Sequence, residues 1–381
     1  MDENLYSLAD WIVRSSSREH PADAVMRQEL KAQRALSTLE TAQVSRAVFS
    51  YYRWKGWLNL QAPLSDQIQS ALDYADRFSA SPGGFTDAEL IQRVGPGWLG
   101  EEMSVTPAWA RAIQGELKLW LRARRGQGMA LAARLGDCRF KDSSLLGDTI
   151  EYRGKLDLFR SPEFHGGEFE IQDISSQAVG LVCAPKARET WWDACAGEGG
   201  KMLHLSELME NRGLIWATER AAWRLQRLRR RAARAKVFNY RAASWDGGPR
   251  LPTKTKFDGV LIDAPCSGLG TWQRNPHARW TTTKQDIQEL AGLQLDLLTH
   301  AAKAVKPGGR LVYAVCTVTR TETEAVADAF EESAPAFKPL ALRDPLAAKS
   351  SPTNRLTLWP YTHGGNGMFI AAWVRVADTS K

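Results

Sequence analysis

The segment TWWDACAGEGGK at residues 190–201 carries the clearest indication of the fold of this chain. Its beginning, Thr190–Asp193, is apolar and has the character of a buried strand, and a glycine-rich loop follows and leads into a helix predicted near Met202–Met209. Glycines let a backbone approach a ligand closely, and the first turn of a helix presents free N–H groups. The order strand, loop, helix therefore predicts one unit of an α/β sheet with a ligand loop at its edge.

Strand-like and helical segments continue to alternate after this loop. Further strands are predicted at Leu214–Thr218, Val260–Ile262 and Leu311–Val315, and helices around residues 286–305 and 322–332. Strands that alternate with helices at this spacing indicate a mostly parallel, doubly wound sheet. In such sheets ligands bind outside the carboxyl ends of the strands.

The periodicity of the chain predicts three domains. Residues 1–125 have apolar residues recurring every three to four positions, which is typical of an all-α domain, and Trp109–Arg125 is predicted to be a basic amphipathic helix. Residues 126–168 alternate short strand-like segments with glycine turns, which favours a small α+β subdomain. Residues 169–381 form the predicted α/β domain.

Composition limits the class of protein. The 381 residues carry a net charge of +7, with 44% hydrophobic and 24% charged residues, as in ordinary globular proteins. No apolar run approaches the ~20 residues that span a bilayer, and no secretory signal is visible, so we expect a cytoplasmic protein and, further, a monomer. The positive charge is compatible with a nucleic-acid partner and equally with a basic enzyme that never binds one.

Five cysteines, an odd number at wide spacing, favour reduced thiols over a disulfide framework, and no CxxC or HxxxH spacing occurs, so no metal site is predicted. Cys266 and Cys316 each follow an apolar strand-like run and should emerge at the carboxyl edge of the sheet. The alternative for any such cysteine is to pack as a small buried apolar residue. We predict that role for Cys183 and Cys195.

A second feature supports a ligand at the glycine loop. Glu219 ends the next predicted strand, about 20 residues further on, where an acid can accept hydrogen bonds from ribose hydroxyls. The loop lacks the G-x-G-x-x-G spacing of dinucleotide sites, which favours a smaller adenosine ligand, and S-adenosylmethionine fits. A turn that needs glycine for packing alone is the alternative. Trp216 and Trp223 are expected to pack in the core, with contact to adenine as the alternative.

Two thiols and an acid at one sheet edge suit covalent chemistry on a base. Carbon 5 of cytosine is a poor nucleophile until a thiolate adds to carbon 6, and cysteine is suited to this step because a few per cent is thiolate near neutrality. A carboxylic acid can assist by protonating ring N3, and Asp263 is the candidate. A base or second thiol must then help to release the product. This pattern alone does not choose between Cys266 and Cys316.

Two basic segments are candidates for substrate binding. The helix predicted after Glu219 is rich in arginine, beginning with Arg220 and Arg224, and forms either a phosphate-contacting ridge or a solvated surface. The segment after Cys266 contains Arg274 and Arg279 beside an aromatic residue, and we interpret it as substrate-facing, with a structural loop as the alternative.

From about Phe169 to Arg375 the chain resembles the Sun-type (RsmB/Nop) RNA cytosine-5 methyltransferases. Residues 193–201 match the D-x-C-A-x-P-G-G-K cofactor loop except that Glu198 replaces proline, and residues 263–270 match D-A-P-C-S-G-x-G completely. Residues 313–317 stand for Y-S-T-C-S, with Glu322 as a trailing acid, and residues 365–371 resemble the closing D-G-F-F-x-A strand.

The resemblance implies a class I Rossmann-like domain that binds S-adenosylmethionine and methylates RNA, with ribosomal RNA as the expected substrate. It implies Cys316 as the nucleophile and Cys266 as the thiol that aids release. Lys201 is a further candidate that would stabilise the site electrostatically, with a lysine on the helix surface as the alternative. The residues expected to hold the cofactor are Asp193, Ala194, Cys195, Ala196, Gly197, Glu198, Gly199, Gly200, Lys201, Glu219, Asp246 and Asp263. The helical N-terminal part faintly resembles the antitermination-factor-like domain of bacterial members, which suggests an RNA-binding role.

Two other functions stay open from the sequence. Enzymes that methylate the same carbon in DNA use the cysteine of a Pro-Cys pair, which here is Cys266. A non-catalytic RNA-binding assembly factor could also retain this fold, although such a protein has no need for two thiols and an acid.

Overall fold

The fold is taken from a computed structural model, which describes residues 2–33, 35–140, 147–347 and 349–376. The chain forms two compact units. The first comprises Met1–Leu117 and Ser267–Ile287, and the second comprises Lys118–Cys266 and Gln288–Lys381.

The helices and strands are numbered in chain order. The helices are α1 (Glu3–Ser15), α2 (Ala22–Ala32), α3 (Thr38–Trp54), α4 (Leu64–Ala80), α5 (Asp87–Arg93), α6 (Leu99–Glu102), α7 (Pro107–Gln114), α8 (Gly128–Leu135), α9 (Pro162–His165), α10 (Ile174–Cys183), α11 (Gly200–Leu208), α12 (Ala222–Arg234), α13 (Ala278–Thr281), α14 (Lys284–Ala302), α15 (Glu324–Ser333) and α16 (Pro360–His363). The strands are β1 (Leu119–Ala123), β2 (Cys138–Phe140), β3 (Thr149–Tyr152), β4 (Phe169–Ile171), β5 (Thr190–Asp193), β6 (Leu214–Thr218), β7 (Tyr240–Ala243), β8 (Phe257–Asp263), β9 (Val305–Val315), β10 (Phe337–Pro339), β11 (Arg355–Leu358) and β12 (Met368–Arg375).

The first unit is helical, as predicted, and packs around an aromatic cluster. Ser37 and Glu40 form a capping box that starts α3, because each side chain accepts a hydrogen bond from the other residue's backbone N–H. At the other end of α3, Trp54 is fully buried, and its ring centroid lies 5.2 to 5.5 Å from those of Phe78 and Phe85. The contact with Phe78 is edge-to-face and the contact with Phe85 is tilted, and aromatic pairs of this kind add to the free energy gained from apolar burial.

The predicted helix over Trp109–Arg125 is wrong in its second half. Helix α7 ends at Gln114, where Gly115 closes it, and Leu119–Ala123 is the strand β1. Among the described residues β1 lies in a four-stranded antiparallel sheet of order β2-β3-β1-β4. Pairing on both sides buries β1, and this burial overrides a local pattern that is compatible with a helix.

The second unit contains the doubly wound sheet, which confirms the Rossmann-like fold class. Within the described residues it has eight strands in the order β10-β12-β9-β8-β5-β6-β7, with β11 paired to β12. The strands from β5 to β9 run parallel, and β12 runs antiparallel to β9. Trp191 and Trp192 are buried in separate clusters on the two faces of the sheet, because successive strand residues point to opposite sides.

The compact units divide the chain differently from the predicted domains. The helical unit ends at Leu117 rather than near residue 125, and it takes in Ser267–Ile287 from the middle of the predicted α/β domain. The small α+β region extends from β1 to β4, beyond the predicted limits of 126 and 168. Among the described residues, no helix has the length and apolar character needed to cross a membrane.

Candidate active site

The two candidate thiols lie at one edge of the sheet. Strands β8 and β9 are parallel neighbours, with Asp263 paired to Ala314, so the loops that follow them leave the sheet side by side. Cys266 Sγ lies 3.4 Å from Cys316 Sγ, within hydrogen-bonding distance. The structure thus brings together the two cysteines that the sequence could only place on the same edge.

The environment of Cys316 favours its thiolate. The hydrogen bond with Cys266 lowers the pKa of Cys316, and this effect outweighs burial, which acts in the opposite direction. Burial instead raises the pKa of Cys183 and of Cys195, and among the described residues no hydrogen bond from a second thiol offsets it for either residue. The thiolate is the nucleophilic form of cysteine, so this environment supports Cys316 as the candidate nucleophile.

We predict that Cys316 alkylates at lower pH than an ordinary cysteine. The thiolate fraction rises with pH, so a lowered pKa moves the pH midpoint of iodoacetamide labelling downward, and Cys266→Ala should move it upward by removing the hydrogen bond. Peptide mass spectrometry after labelling at a series of pH values separates Cys316 from Cys183 and Cys195. An unchanged midpoint in Cys266→Ala would show that Cys266 does not set the pKa of Cys316.

An ion pair between a buried lysine and a partly exposed acid lies beside the thiols. Lys201 Nζ is 2.6 Å from Asp263 Oδ2 and 3.3 Å from Ser176 Oγ. Burial alone would lower the pKa of Lys201, but the charge and the hydrogen bond of Asp263 outweigh it, and the net pKa is raised. Lys201 is therefore a cation in this site, and it holds the Asp263 carboxylate at the end of β8.

A buried polar network connects the loops that carry the two thiols; we call it the Gln294 network. Gln294 Nε2 donates to Pro265 O at 2.9 Å and to Glu322 Oε1 at 3.1 Å. Glu322 Oε2 accepts from Thr317 Oγ1 at 3.2 Å and from Thr319 Oγ1 at 2.8 Å. Pro265 precedes Cys266 and Thr317 follows Cys316, so one glutamine and one carboxylate link the backbone next to both thiols.

The network is closed by a third side chain. The Tyr313 hydroxyl lies 2.8 Å from Gln294 Oε1 and 2.7 Å from Glu322 O. Gln294, Tyr313 and Glu322 are all fully buried. The sequence analysis did not single out Gln294, although a polar residue between Leu290 and Leu297, on the apolar side of a helix, is a signal that could have found it.

The candidate cofactor site is a cavity of about 330 Å³ at the same edge of the sheet. Its lining includes Ala194, Cys195, Gly197, Glu219, Arg220, Arg224, Trp245, Asp246, Gly247, Asp263, Ala264, Pro265, Leu290, Leu293 and Leu297. The wall thus combines acids at or just after the ends of β6, β7 and β8 with leucines from α14. Glu219 Oε1 accepts a hydrogen bond from Ala221 N at 2.9 Å, which fixes the carboxylate at the end of β6.

These residues fit an adenosine ligand that carries a positive charge. Glu219 and Asp246 line the cavity as hydrogen-bond acceptors, and the leucines offer an apolar surface for a purine. Nearby, Asp193 is fully buried, and neither of its carboxylate oxygens accepts a hydrogen bond of ordinary geometry from the described residues. Burial, with the charge of Asp263, raises the pKa of Asp193 to about 7, and a cationic group bound at this edge would favour its charged carboxylate form.

The glycine loop has the backbone that the sequence predicts. Gly197 and Gly199 have φ of 54° and 89°, a region that favours glycine. A Cβ on Gly199 would lie 2.9 Å from Leu228 Cγ, so packing also requires glycine there. Glu198, the residue that departs from the family pattern, pairs with Arg227 at 2.7 Å on the outer side of the loop.

The arginines after Glu219 have different roles. Arg220 and Arg224 line the cofactor cavity, and Arg224 Nη1 lies 3.7 Å from Glu219 Oε2. Arg231 and Arg234 bond to the buried carboxylate of Glu170 at 2.9 and 2.7 Å. Those two arginines fix α12 to β4, while contact of Arg220 and Arg224 with a substrate stays a prediction.

The burial of Arg279 contradicts the prediction that it contacts the substrate. Its side chain has no exposed surface, and its guanidinium donates to Gln114 Oε1 and to Ile113 O, both at 2.5 Å. These bonds anchor the segment that follows Cys266 to the end of α7, so the structural alternative is right for this residue. Arg274 is exposed and stays a candidate.

No group of three or more His, Cys, Asp or Glu side chains in the described ranges has an arrangement suited to a metal ion.

Comparison with known proteins identifies the family. The model of the family described as 16S rRNA methyltransferase RsmB/F matches residues 180–374, a range that contains the glycine loop, Glu219, Asp263 and both thiols. A probable ribosomal RNA small subunit methyltransferase B of Bacillus subtilis (strain 168) is 38% identical over 215 residues, 55% of this chain and 48% of that protein. The ribosomal RNA small subunit methyltransferase B of Sodalis glossinidius (strain morsitans) is 31% identical over 314 residues, 77% of this chain and 69% of that protein.

The chain matches only part of each of these relatives, but a solved structure covers nearly all of it. It spans about half the length of the Bacillus subtilis protein. The crystal structure of a protein called PH0851 superposes with a TM-score of 0.81 over 98% of this chain and 99% of that chain, at 22% identity, which supports the fold. The family model covers the sheet and the site together, and the chain therefore belongs to the RsmB/F family of 16S rRNA methyltransferases.

Proposed function

We propose that this protein is an S-adenosylmethionine-dependent RNA methyltransferase that forms 5-methylcytosine through a covalent bond between Cys316 and the base. The observation that carries the proposal is the pair of thiols 3.4 Å apart, beside the Lys201–Asp263 ion pair at 2.6 Å. Ribosomal RNA is the proposed substrate, since the relatives that match the chain are named as ribosomal RNA methyltransferases.

Each reacting group has a defined task in this proposal. The Cys316 thiolate forms a bond to carbon 6, and the electrons of the ring double bond move so that carbon 5 becomes nucleophilic. Asp263 donates a proton to ring N3 as the bond to sulfur forms, which offsets the negative charge that develops on the ring, and the carboxylate that remains is the form that pairs with Lys201. The proton returns to Asp263 when the ring double bond is restored. After carbon 5 has gained its methyl group, its proton leaves to a base, the carbon–sulfur bond breaks, and the Cys316 thiolate departs. Cys266 assists this last step from 3.4 Å away.

The cofactor residues divide between the two ends of the ligand. Glu219 and Asp246 would hold the adenosine part, and residues 194–197 with Asp193 would face the methionine part. The bound S-adenosylmethionine supplies an electrophilic methyl group. Lys201 keeps Asp263 oriented, and the leucines of α14 exclude water from the purine side of the cavity.

Trapping on RNA that contains 5-fluorocytosine tests the proposal. Fluorine at carbon 5 blocks elimination, so the protein stays bound covalently to its target. Total bacterial RNA with this base is incubated with S-adenosylmethionine and with wild type, Cys316→Ala or Cys266→Ala. We expect an adduct with wild type and with Cys266→Ala but none with Cys316→Ala, and sequencing the bound RNA identifies the cytosine.

Other outcomes decide between the alternatives. An adduct lost only in Cys266→Ala would make Cys266 the nucleophile, as in DNA methyltransferases, and fluorocytosine DNA would then be the next substrate. Cofactor binding without an adduct on any RNA would favour a non-catalytic RNA-binding factor.

A further inference from the structure

Helix α12 presents an aromatic residue between arginines to solvent. Trp223 is 52% exposed, so the expectation that it packs in the core is wrong. The guanidinium carbons of Arg224 and Arg227 lie 5.2 and 5.0 Å from the centroid of its ring. About half of this residue is thus open to solvent, and two cations lie beside its ring.

The geometry of the helix extends this surface into a stripe. Trp223, Arg227 and Arg230 stand at positions i, i+4 and i+7, which lie on one face of an α-helix. The opposite face is buried through Leu225, Leu228 and Ala232. We call the exposed stripe the Trp223 face.

The arginines of this face are not all used by the fold. Arg231 and Arg234 bond to Glu170 and anchor the helix. Within the part of the chain that the structure describes, Arg229 and Arg230 make no ion pair and are exposed. The helix also begins at the cofactor cavity, since Arg220 and Arg224 line that cavity. Arg227 pairs with Glu198 at 2.7 Å, but half of its side chain is exposed, so a phosphate can compete with that carboxylate. The helix therefore carries exposed cations and an exposed ring away from the proposed reaction site.

We propose that the Trp223 face binds an unpaired stretch of the substrate RNA, with one base stacked on Trp223 and neighbouring phosphates held by Arg227 and Arg230. This inference rests on the proposed function. Arginine binds phosphates whatever the base sequence of the RNA. Only an unpaired base, however, can stack its flat surface on an aromatic ring. A duplex would use the cations and leave the indole without a partner, so the exposed tryptophan favours single-stranded RNA.

Two substitutions at one position test the stacking. The probe is a fluorescently labelled single-stranded RNA with the sequence around the cytosine identified by trapping. Fluorescence anisotropy measures its binding to wild type, Trp223→Leu and Trp223→Phe. We expect Trp223→Leu to weaken binding about tenfold, the size of one base stack, and Trp223→Phe to retain most of the affinity. Gln226→Ala, an exposed neighbour on α12, controls for a general change in the helix and should bind as wild type does.

The phosphate contact is tested separately by salt. Arg230→Ala should make the slope of log affinity against log salt shallower by about 0.7, as expected for one lost phosphate contact to a single strand. Equal affinity of Trp223→Leu and wild type overturns the stacking, and an unchanged slope in Arg230→Ala overturns the phosphate contact. Either failure leaves the proposed function standing if wild type still forms the fluorocytosine adduct. Absence of that adduct together with absence of RNA binding would overturn both.

Discussion

Asp263→Asn is expected to lower kcat for RNA methylation by about 100- to 10,000-fold, the usual contribution of a positioned acid or base. An asparagine keeps the size of the side chain but supplies no acidic proton to ring N3 and no charge to Lys201, which lies 2.6 Å from the carboxylate. Transfer of a labelled methyl group from S-adenosylmethionine to unmodified RNA of the sequence identified by trapping, at saturating substrate and over multiple turnovers, measures kcat.

The same strand offers a matched control. Asp258 stands near the start of β8 and pairs with Lys306 at 2.7 Å, so Asp258→Asn also breaks an Asp–Lys pair, but at the opposite end of the strand from the thiols. We expect its kcat to equal that of wild type. Equal losses in the two variants would mean that Asp263 acts through the stability of β8 and not on the base.

The parts of the site that local sequence determines could be predicted. The glycine loop, Glu219, Asp263 and both thiols each follow a strand directly, and parallel strands place their carboxyl ends at one edge. Periodicity and turn residues thus suffice to gather these groups. They do not give the 3.4 Å between the sulfurs, which depends on how two loops pack against α14.

The wrong predictions arise where distant contacts outweigh local pattern. The local sequence pattern predicts that Leu119–Ala123 is the end of a basic helix. Only its pairing with β3 and β4 makes this segment a strand. The local sequence predicts Arg279 to be a surface cation. It gives no sign that the guanidinium forms hydrogen bonds with Gln114 and Ile113, more than 150 residues earlier in the chain. Trp223 is expected in the core because tryptophan is usually buried. In the structure it is half exposed, and Arg224 and Arg227 of the same helix lie beside its ring.

Gln294 is the residue of the site that depends most on tertiary structure, and its loss should show in both stability and chemistry. Gln294→Leu fits the apolar side of α14 but leaves Pro265 O without its donor and removes one donor from the buried Glu322 carboxylate. Loss of hydrogen bonds to buried groups of this kind should lower the free energy of unfolding by about 2–3 kcal/mol, measured by urea denaturation.

The chemical effect separates positioning from a general loss of stability. Without the link between Pro265 and Glu322, the two thiols are no longer held at hydrogen-bonding distance, so the pKa of Cys316 should rise and its alkylation midpoint should move to higher pH. Gln67→Leu is the matched control, because Gln67 is also buried, its Nε2 donates to Ala62 O at 2.8 Å, and it belongs to the helical unit. Gln67→Leu should lower stability with the midpoint of Cys316 unchanged. A midpoint that stays at the wild-type value in Gln294→Leu would mean that the strands alone set the distance between the thiols, and that the Gln294 network serves only to hold the fold together.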